Sequence, residues 1–321
     1  MTYDQRKLEN MMNLEQYYTL SGSYLCDDLI SESMRQTLLE WMRDLCQEEN
    51  KLDQVFNHSC MLFDRFMQAL KEKSSFQIHK SYLQLFATAC LFISSKVKSD
   101  AQFSALNLIE YTDNSITLSD LLESELFILE TLEWDIDYIV PNDYFEFFSS
   151  QIKSDNKELI QTKFYEQTVK CSFDFSLQFY RPSQIATVCL LKALHEISMF
   201  HLKDLFMGSI VLDSQMNKLI KIFQLDLGND SMLSESWSSF TESGTESPVK
   251  KSAGKITKRA TKKMQRKNSL KMKKVLNSSM SSSSNDNDES MTMNRFEINY
   301  FNSSKKMTRS SWLSPCFQSN F

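Results

Sequence analysis

Residues 79–97 carry apolar side chains almost all the way round a helix: Leu83, Leu85, Phe86, Ala87, Ala89, Cys90, Leu91, Phe92 and Ile93. A helix without a polar face has no place on a surface, so it must be the centre of a bundle with other helices around it. The same pattern returns later in Ile185, Ala186, Val188, Cys189, Leu190, Leu191, Ala193 and Leu194. One chain therefore contains two bundle centres, and the segments around them should be amphipathic.

They are. Met34, Leu38, Trp41 and Leu45 fall at i, i+4, i+7 and i+11, a single helical stripe, with Ser31 or Ser33 as cap and residues 48–50 as its end. Residues 55–70 form a second stretch, 104–111 a short third, and 118–132 a longer one after the turn Thr112-Asp113-Asn114-Ser115. In 118–132 a leucine-rich face (Leu118, Leu121, Leu122, Leu126, Leu129, Leu132) surrounds Glu125. Pro141 opens the next block, since proline suits the first turn of a helix. That block runs through 141–152, 159–177, 182–197, 202–206 and 209–225. The expectation is an all-α fold of two tandem blocks of about five helices each, a repeat of pattern rather than of residue identity. Five glycines and four prolines in 321 residues are too few for a turn-rich β-protein.

Seven scattered cysteines form no CxxC and no Cys/His group with metal spacing, so they read as reduced core thiols. The polar, amphipathic N-terminus has no signal-peptide core, and no apolar run is long enough to cross a membrane, so an intracellular, soluble protein is expected. Gly-rich phosphate loops, GxSxG, HExxH and a kinase catalytic loop are absent. The four histidines, His58, His79, His195 and His201, stand apart on helices without evident partners. No catalytic site, cofactor or metal is expected.

Charge is unevenly divided. Residues 1–240 hold 20 Lys/Arg against 35 Asp/Glu (−15), and residues 241–321 hold 16 against 6 (+10). Ser-rich stretches flank a lysine-rich run at 250–274, a composition that cannot repay the entropy of ordering, so disorder is expected there.

Met34-Arg35-Gln36-Thr37-Leu38-Leu39-Glu40-Trp41-Met42 resembles the opening of a cyclin box, as do Phe63-Asp64-Arg65-Phe66, Leu83-Gln84-Leu85 and Ser94-Ser95-Lys96. Tyr111-Thr112-Asp113-Asn114-Ser115-Ile116 is similar to the D-type (G1) cyclins in particular, and Pro141-Asn142-Asp143-Tyr144 to the start of the family's second box. The resemblance covers residues 31–228. It implies an N-terminal extension (1–30), two boxes (31–138 and 139–228) and a tail (229–321).

The resemblance also implies roles. Arg35 and Asp64 form the buried pair that holds the first helix of the box against the second. Lys96 and Glu125 face a cyclin-dependent kinase and grip its main chain, which three ammonium donors and a carboxylate can do whatever the partner's side chains. Met34, Leu38, Trp41, Asp44, Leu83 and Gln84 form the docking patch for Arg-x-Leu substrates and inhibitors, with Trp41 expected to be exposed. Thr37 stands there in place of an aliphatic residue. The implied function is a non-catalytic regulatory subunit that activates a G1-type kinase and recruits its substrates, promoting the G1/S transition through retinoblastoma-like proteins. Tyr24-Leu25-Cys26-Asp27-Asp28 is a degenerate form of the Leu-x-Cys-x-Glu motif that binds such pocket proteins. Val97-Lys98-Ser99-Asp100 departs from the family, which has an acidic residue shortly after the lysine. The alternative is a cyclin-fold scaffold or transcription-associated protein that binds peptides or nucleic acid without activating a kinase. In the tail, the basic run reads as a signal for a nuclear import receptor, giving a nuclear protein with a cytoplasmic pool. Ser247-Pro248-Val249-Lys250 reads as a kinase phosphosite and Ser314-Pro315 as a poorer one.

Overall fold

Local sequence rules set the helix boundaries in the computed structural model, which describes residues 5–25, 30–72, 80–152, 156–199, 201 and 214–225. Ser31 caps α2 (Glu32–Glu48), its hydroxyl accepting the Met34 amide at 3.3 Å. Asn50, in the left-handed region at φ 50°, turns the chain into α3 (Asp53–Glu72). A 3-10 turn, Lys80–Tyr82, leads into α4 (Leu83–Lys98). After α5 (Ala105–Tyr111), Asp113 and Asn114 at φ 56° and 55° make the turn, residue types that tolerate this conformation. Thr117 and Asp120 then exchange bonds in a capping box (3.2 and 2.8 Å) and start α6 (Leu118–Thr131).

The second half departs in two places from unbroken helices. Where one helix was expected from 141 to 152, a 3-10 turn (Pro141–Tyr144) precedes α7 (Phe145–Gln151), because Asp143 turns back to accept the Val140 amide at 2.9 Å. The 159–177 stretch ends early. After α8 (Lys157–Phe173), the Asp174 carboxylate takes the Ser176 amide at 2.9 Å and the chain continues as a 3-10 turn, Phe175–Phe179. α9 (Pro182–Glu196) and α10 (Ser214–Ile222) complete the described helices, and α1 (Gln5–Glu15) precedes them all. No β-strand occurs among the described residues. The expected short helix at 202–206 and the whole tail from 226 lie outside them.

α4 occupies the centre of the first half, against α2, α3, α5 and α6, with Phe86, Ala87, Ala89, Cys90 and Leu91 fully buried. α9 is its counterpart, against α8, α10 and α1. α1 contributes Leu8 and Met11 to the core of the second half. Its last residue, Glu15, is fully buried and accepts bonds from the Ser183 amide and hydroxyl (2.7 and 2.6 Å) and from Tyr144 (2.7 Å). Burial raises the pKa of the Glu15 carboxyl, and these bonds partly offset the rise.

Polar groups join the halves where α3 meets α8. Asn57 donates to Asn142 (2.6 Å) and Thr168 (3.0 Å) and accepts from Ser172 (2.9 Å), all buried. A buried, satisfied network of this kind fixes one register of packing, because any slip strands its members without partners.

Candidate partner-docking surface

The first half is organised around a buried ion pair. Arg35 of α2 and Asp64 of α3 meet in a two-pronged geometry, Nε to Oδ1 at 2.8 Å and Nη2 to Oδ2 at 2.6 Å. Tyr24 adds a hydroxyl bond to Oδ1 at 2.6 Å. The remaining guanidinium donors reach the carbonyls of Phe173 and Ser172, both at 3.0 Å, so the pair also ties α8 to the first half. Burial acts to lower the Arg35 pKa, but the charge and bonds of Asp64 leave it above its ordinary value.

Lys96 and Glu125 lie at the surface, brought together by the crossing of α4 and α6, Nζ to Oε1 at 2.5 Å. The ammonium also sits 3.6 Å from the centre of the Phe92 ring. The leucine-rich face of α6 divides in two. Leu121 and Leu129 turn into the core, whereas Leu118, Leu122 and Leu126, at i, i+4 and i+8, are 43%, 46% and 40% exposed. Val97, also exposed, lies next to Lys96. An ion pair beside a row of exposed leucines presents both polar and apolar handles on one rigid face.

The six patch residues behave differently from one another. Met34 and Asp44 are half-buried, while Leu38, Leu83 and Gln84 are buried. Trp41 does not meet the expectation of exposure: it is only 3% exposed, because the α2 stripe that carries it packs onto the core. The buried Gln84 Nε2 has no hydrogen-bond partner among the described residues.

Other positions are structural. Tyr24 is buried, committed to Asp64 and edge-on to Phe63 and Phe175, so it is not displayed as part of a linear motif. Residues 26–29 lie outside the described residues, as do Ser247, the 250–274 run and Ser314. Lys98 turns to Asp137 (3.4 Å) and Asp143 (3.7 Å) at the linker between the halves. His58 has partners after all: Ser94 Oγ at 2.8 Å, the Ile136 carbonyl at 2.9 Å, and the Tyr138 ring stacked on it at 4.3 Å. Burial and the nearby Lys98 charge push its pKa down to about 3. Arg65 lies over both Tyr18 and Tyr138, a layer that holds the N-terminal segment to the first half. The contact between His58 and Ser94 links α3 with α4 and was not visible in spacing alone. No group of side chains suited to a metal ion occurs among the described residues.

Residues 6–137 match the family Cyclin, N-terminal domain. The G1/S-specific cyclin-D1 of Xenopus laevis is 30% identical over 205 residues, which cover 63% of this chain and 68% of that protein. The chain belongs to the cyclin family. It is D-type-like: the G1/S-specific cyclin-D2 of Gallus gallus is 32% identical over 191 residues, 58% of this chain and 64% of the relative. This cyclin spans less than two thirds of that relative and of the Xenopus laevis cyclin-D2, of which it covers 62%. In fold it is similar to a viral cyclin from Herpesvirus saimiri, with TM-score 0.57 at 20% identity, covering 68% of this chain and 94% of the other.

Proposed function

We propose that this cyclin binds and activates a cyclin-dependent protein kinase of the G1 type, contributing no catalytic residue of its own. The observation that carries the reading is the surface pair Lys96–Glu125 set beside the exposed row Leu118, Leu122 and Leu126. A helix of the kinase laid along α6 buries the leucines, while the ammonium and carboxylate exchange their mutual bond for main-chain groups of the partner. The pair is part-exposed, so breaking it on docking costs little. Kinase activation then follows from placing the lysine and glutamate of the kinase's own active site.

Membership among D-type-like cyclins supports a role at the G1/S transition and retinoblastoma-like substrates. A second element of the reading is recruitment of Arg-x-Leu peptides over the half-buried Met34 and Asp44, the Asp44 carboxylate suiting the arginine of such a peptide. We read the second half as a second cyclin box, and the basic tail as the signal that places the protein in the nucleus with a cytoplasmic pool.

The test is capture and activation from a panel of cyclin-dependent kinases by the wild type and by Lys96→Ala and Leu122→Asp. The expected result is capture of a G1-type kinase and phosphorylation of a retinoblastoma-like substrate by the wild type, lost in both variants while each stays folded. Capture of only a different kinase would keep the activator reading and refute the G1 assignment. A folded wild type that binds no kinase would replace the activator with a scaffold.

A further inference from the structure

The α6 face carries a second feature besides its leucines. From residue 99 to residue 150 the chain has no lysine, arginine or histidine and twelve carboxylates. On α5 and α6, Glu110, Glu123 and Glu130 are exposed. Taking 100° per residue, Glu123 and Glu130 run along one side of the Leu118–Leu122–Leu126 row, and the Lys96–Glu125 pair runs along the other. The helix face is an apolar strip with an acidic rail on one flank; α6 itself contributes no cation, and Lys96 of α4 on the other flank is paired with Glu125.

The same chain contains the complement. Residues 250–274 hold twelve lysines and arginines and no carboxylate, interleaved with Ile256, Met264, Leu270 and Met272. Aliphatic side chains spaced among cations match a strip of leucines beside a rail of glutamates in both respects. The tail is also within reach. The 24 residues from 226 to 249 span up to about 80 Å when extended. A folded part of this size has a radius of gyration of only about 17 Å. Tethering gives the run an effective concentration in the millimolar range, so weak ionic and apolar contacts suffice to populate the bound state.

We propose that the 250–274 run docks on the α6 face of its own chain, over Leu118, Leu122 and Leu126 and against Glu123 and Glu130. Because this is the face assigned above to the kinase, the tail competes with kinase binding; that second half of the proposal rests on the proposed function. Any event that engages the tail elsewhere, or lowers its charge, frees the face.

The first experiment is independent of any kinase: zero-length carbodiimide cross-linking of the dilute full chain, with the monomer band mapped by mass spectrometry. The expected links join lysines of 250–274 to Glu110, Glu123 or Glu130. They should disappear at 1 M salt, where the screening length is about 3 Å, and in K262Q/K263Q/R266Q/K267Q. Links spread equally onto exposed carboxylates of the other half, such as Glu158 and Glu166, would overturn the docking. Links confined to a dimer band would overturn it too and assign the face to a second copy. The second experiment compares kinase affinity of the wild type and the same four-fold variant at low salt. About tenfold tighter binding by the variant is expected, and equal affinity would overturn the competition. If no kinase binds either form, the competition falls with the kinase reading, while the cross-links still decide the docking.

Discussion

Asp64→Ala is the sharpest test of how the fold holds its surface. In the wild type the Asp64 carboxylate takes two bonds from Arg35 and one from Tyr24 in a site closed to water. Removing it leaves a buried guanidinium with the Ser172 and Phe173 carbonyls and the face of the Phe175 ring, and no counter-charge among the described residues. Breaking a buried pair on one side typically costs about 3–5 kcal/mol, because the surviving charge remains desolvated. For a domain of this size each kcal/mol moves Tm by about 2–4 °C, so a fall on the order of 10 °C is expected. Arg35→Met alone should cost a similar amount, leaving a buried carboxylate and two unpaired carbonyls. The double variant removes both charges at once, and replacing a buried pair by apolar groups is often near neutral. It should therefore be more stable than the sum of the two singles implies, by at least about 2 kcal/mol. Thermal and urea unfolding followed by circular dichroism gives the cycle directly. Strict additivity, or an Asp64→Ala variant within about 0.5 kcal/mol of wild type, would refute the reasoning.

His58 makes the stability pH-dependent. Its folded pKa of about 3 lies below its unfolded value of about 6.5, so the unfolded state takes up the proton first. Its stabilising contribution is complete above the unfolded pKa and declines by about 1.4 kcal/mol per pH unit as pH falls towards the folded value. The raised carboxyls of Glu15 and Asp143 act in the opposite sense, gaining protons first in the folded state. The informative quantity is therefore the difference between wild type and His58→Gln, which should narrow from pH 7 to pH 5; a constant difference would contradict it. Glu15→Gln replaces one acceptor oxygen by a donor facing Ser183 and Tyr144, and should cost about 1–3 kcal/mol. Hydrogen exchange should quicken in α1 before it does in α4. Leu122→Asp, on an exposed face, should keep stability within about 0.5 kcal/mol while abolishing kinase capture. A large loss of Tm would show that Leu122 belongs to the core.

The features legible in the sequence are those written as periodicity or as short motifs. The central helices announced themselves because an all-round apolar helix has only one kind of environment, and Phe86 and Leu190 are indeed fully buried. Arg35 and Asp64, and Lys96 and Glu125, were paired through the family resemblance, and the structure brings each pair together. Exposure was less legible. Trp41 and Leu122 both sit on apolar stretches, yet one is core and the other surface, because the outcome depends on which neighbouring helix covers which side. The contacts of His58, Lys98 and Glu15 span long sequence separations and follow no local rule. Likewise, no spacing rule placed Asp174 as the residue that ends α8.

These long-range polar contacts explain why the face that carries Lys96 and Glu125 is rigid. From Leu85 to Ile93 α4 is almost wholly apolar, and that stretch by itself fixes neither its rotation nor its translation, since one buried leucine serves almost as well as the next. The polar groups at its C-terminal end remove that freedom. Ser94 is held by His58 and Lys98 by Asp143, which in turn holds the Val140 amide where the second half begins. Lys96 lies between these two anchors, so sliding α4 by one turn to move Lys96 away from Glu125 also breaks a buried bond and unpairs Lys98. The apolar core supplies the gain from burial, and the sparse buried polar groups select one arrangement from many of similar apolar content. The surface pair inherits its position from them.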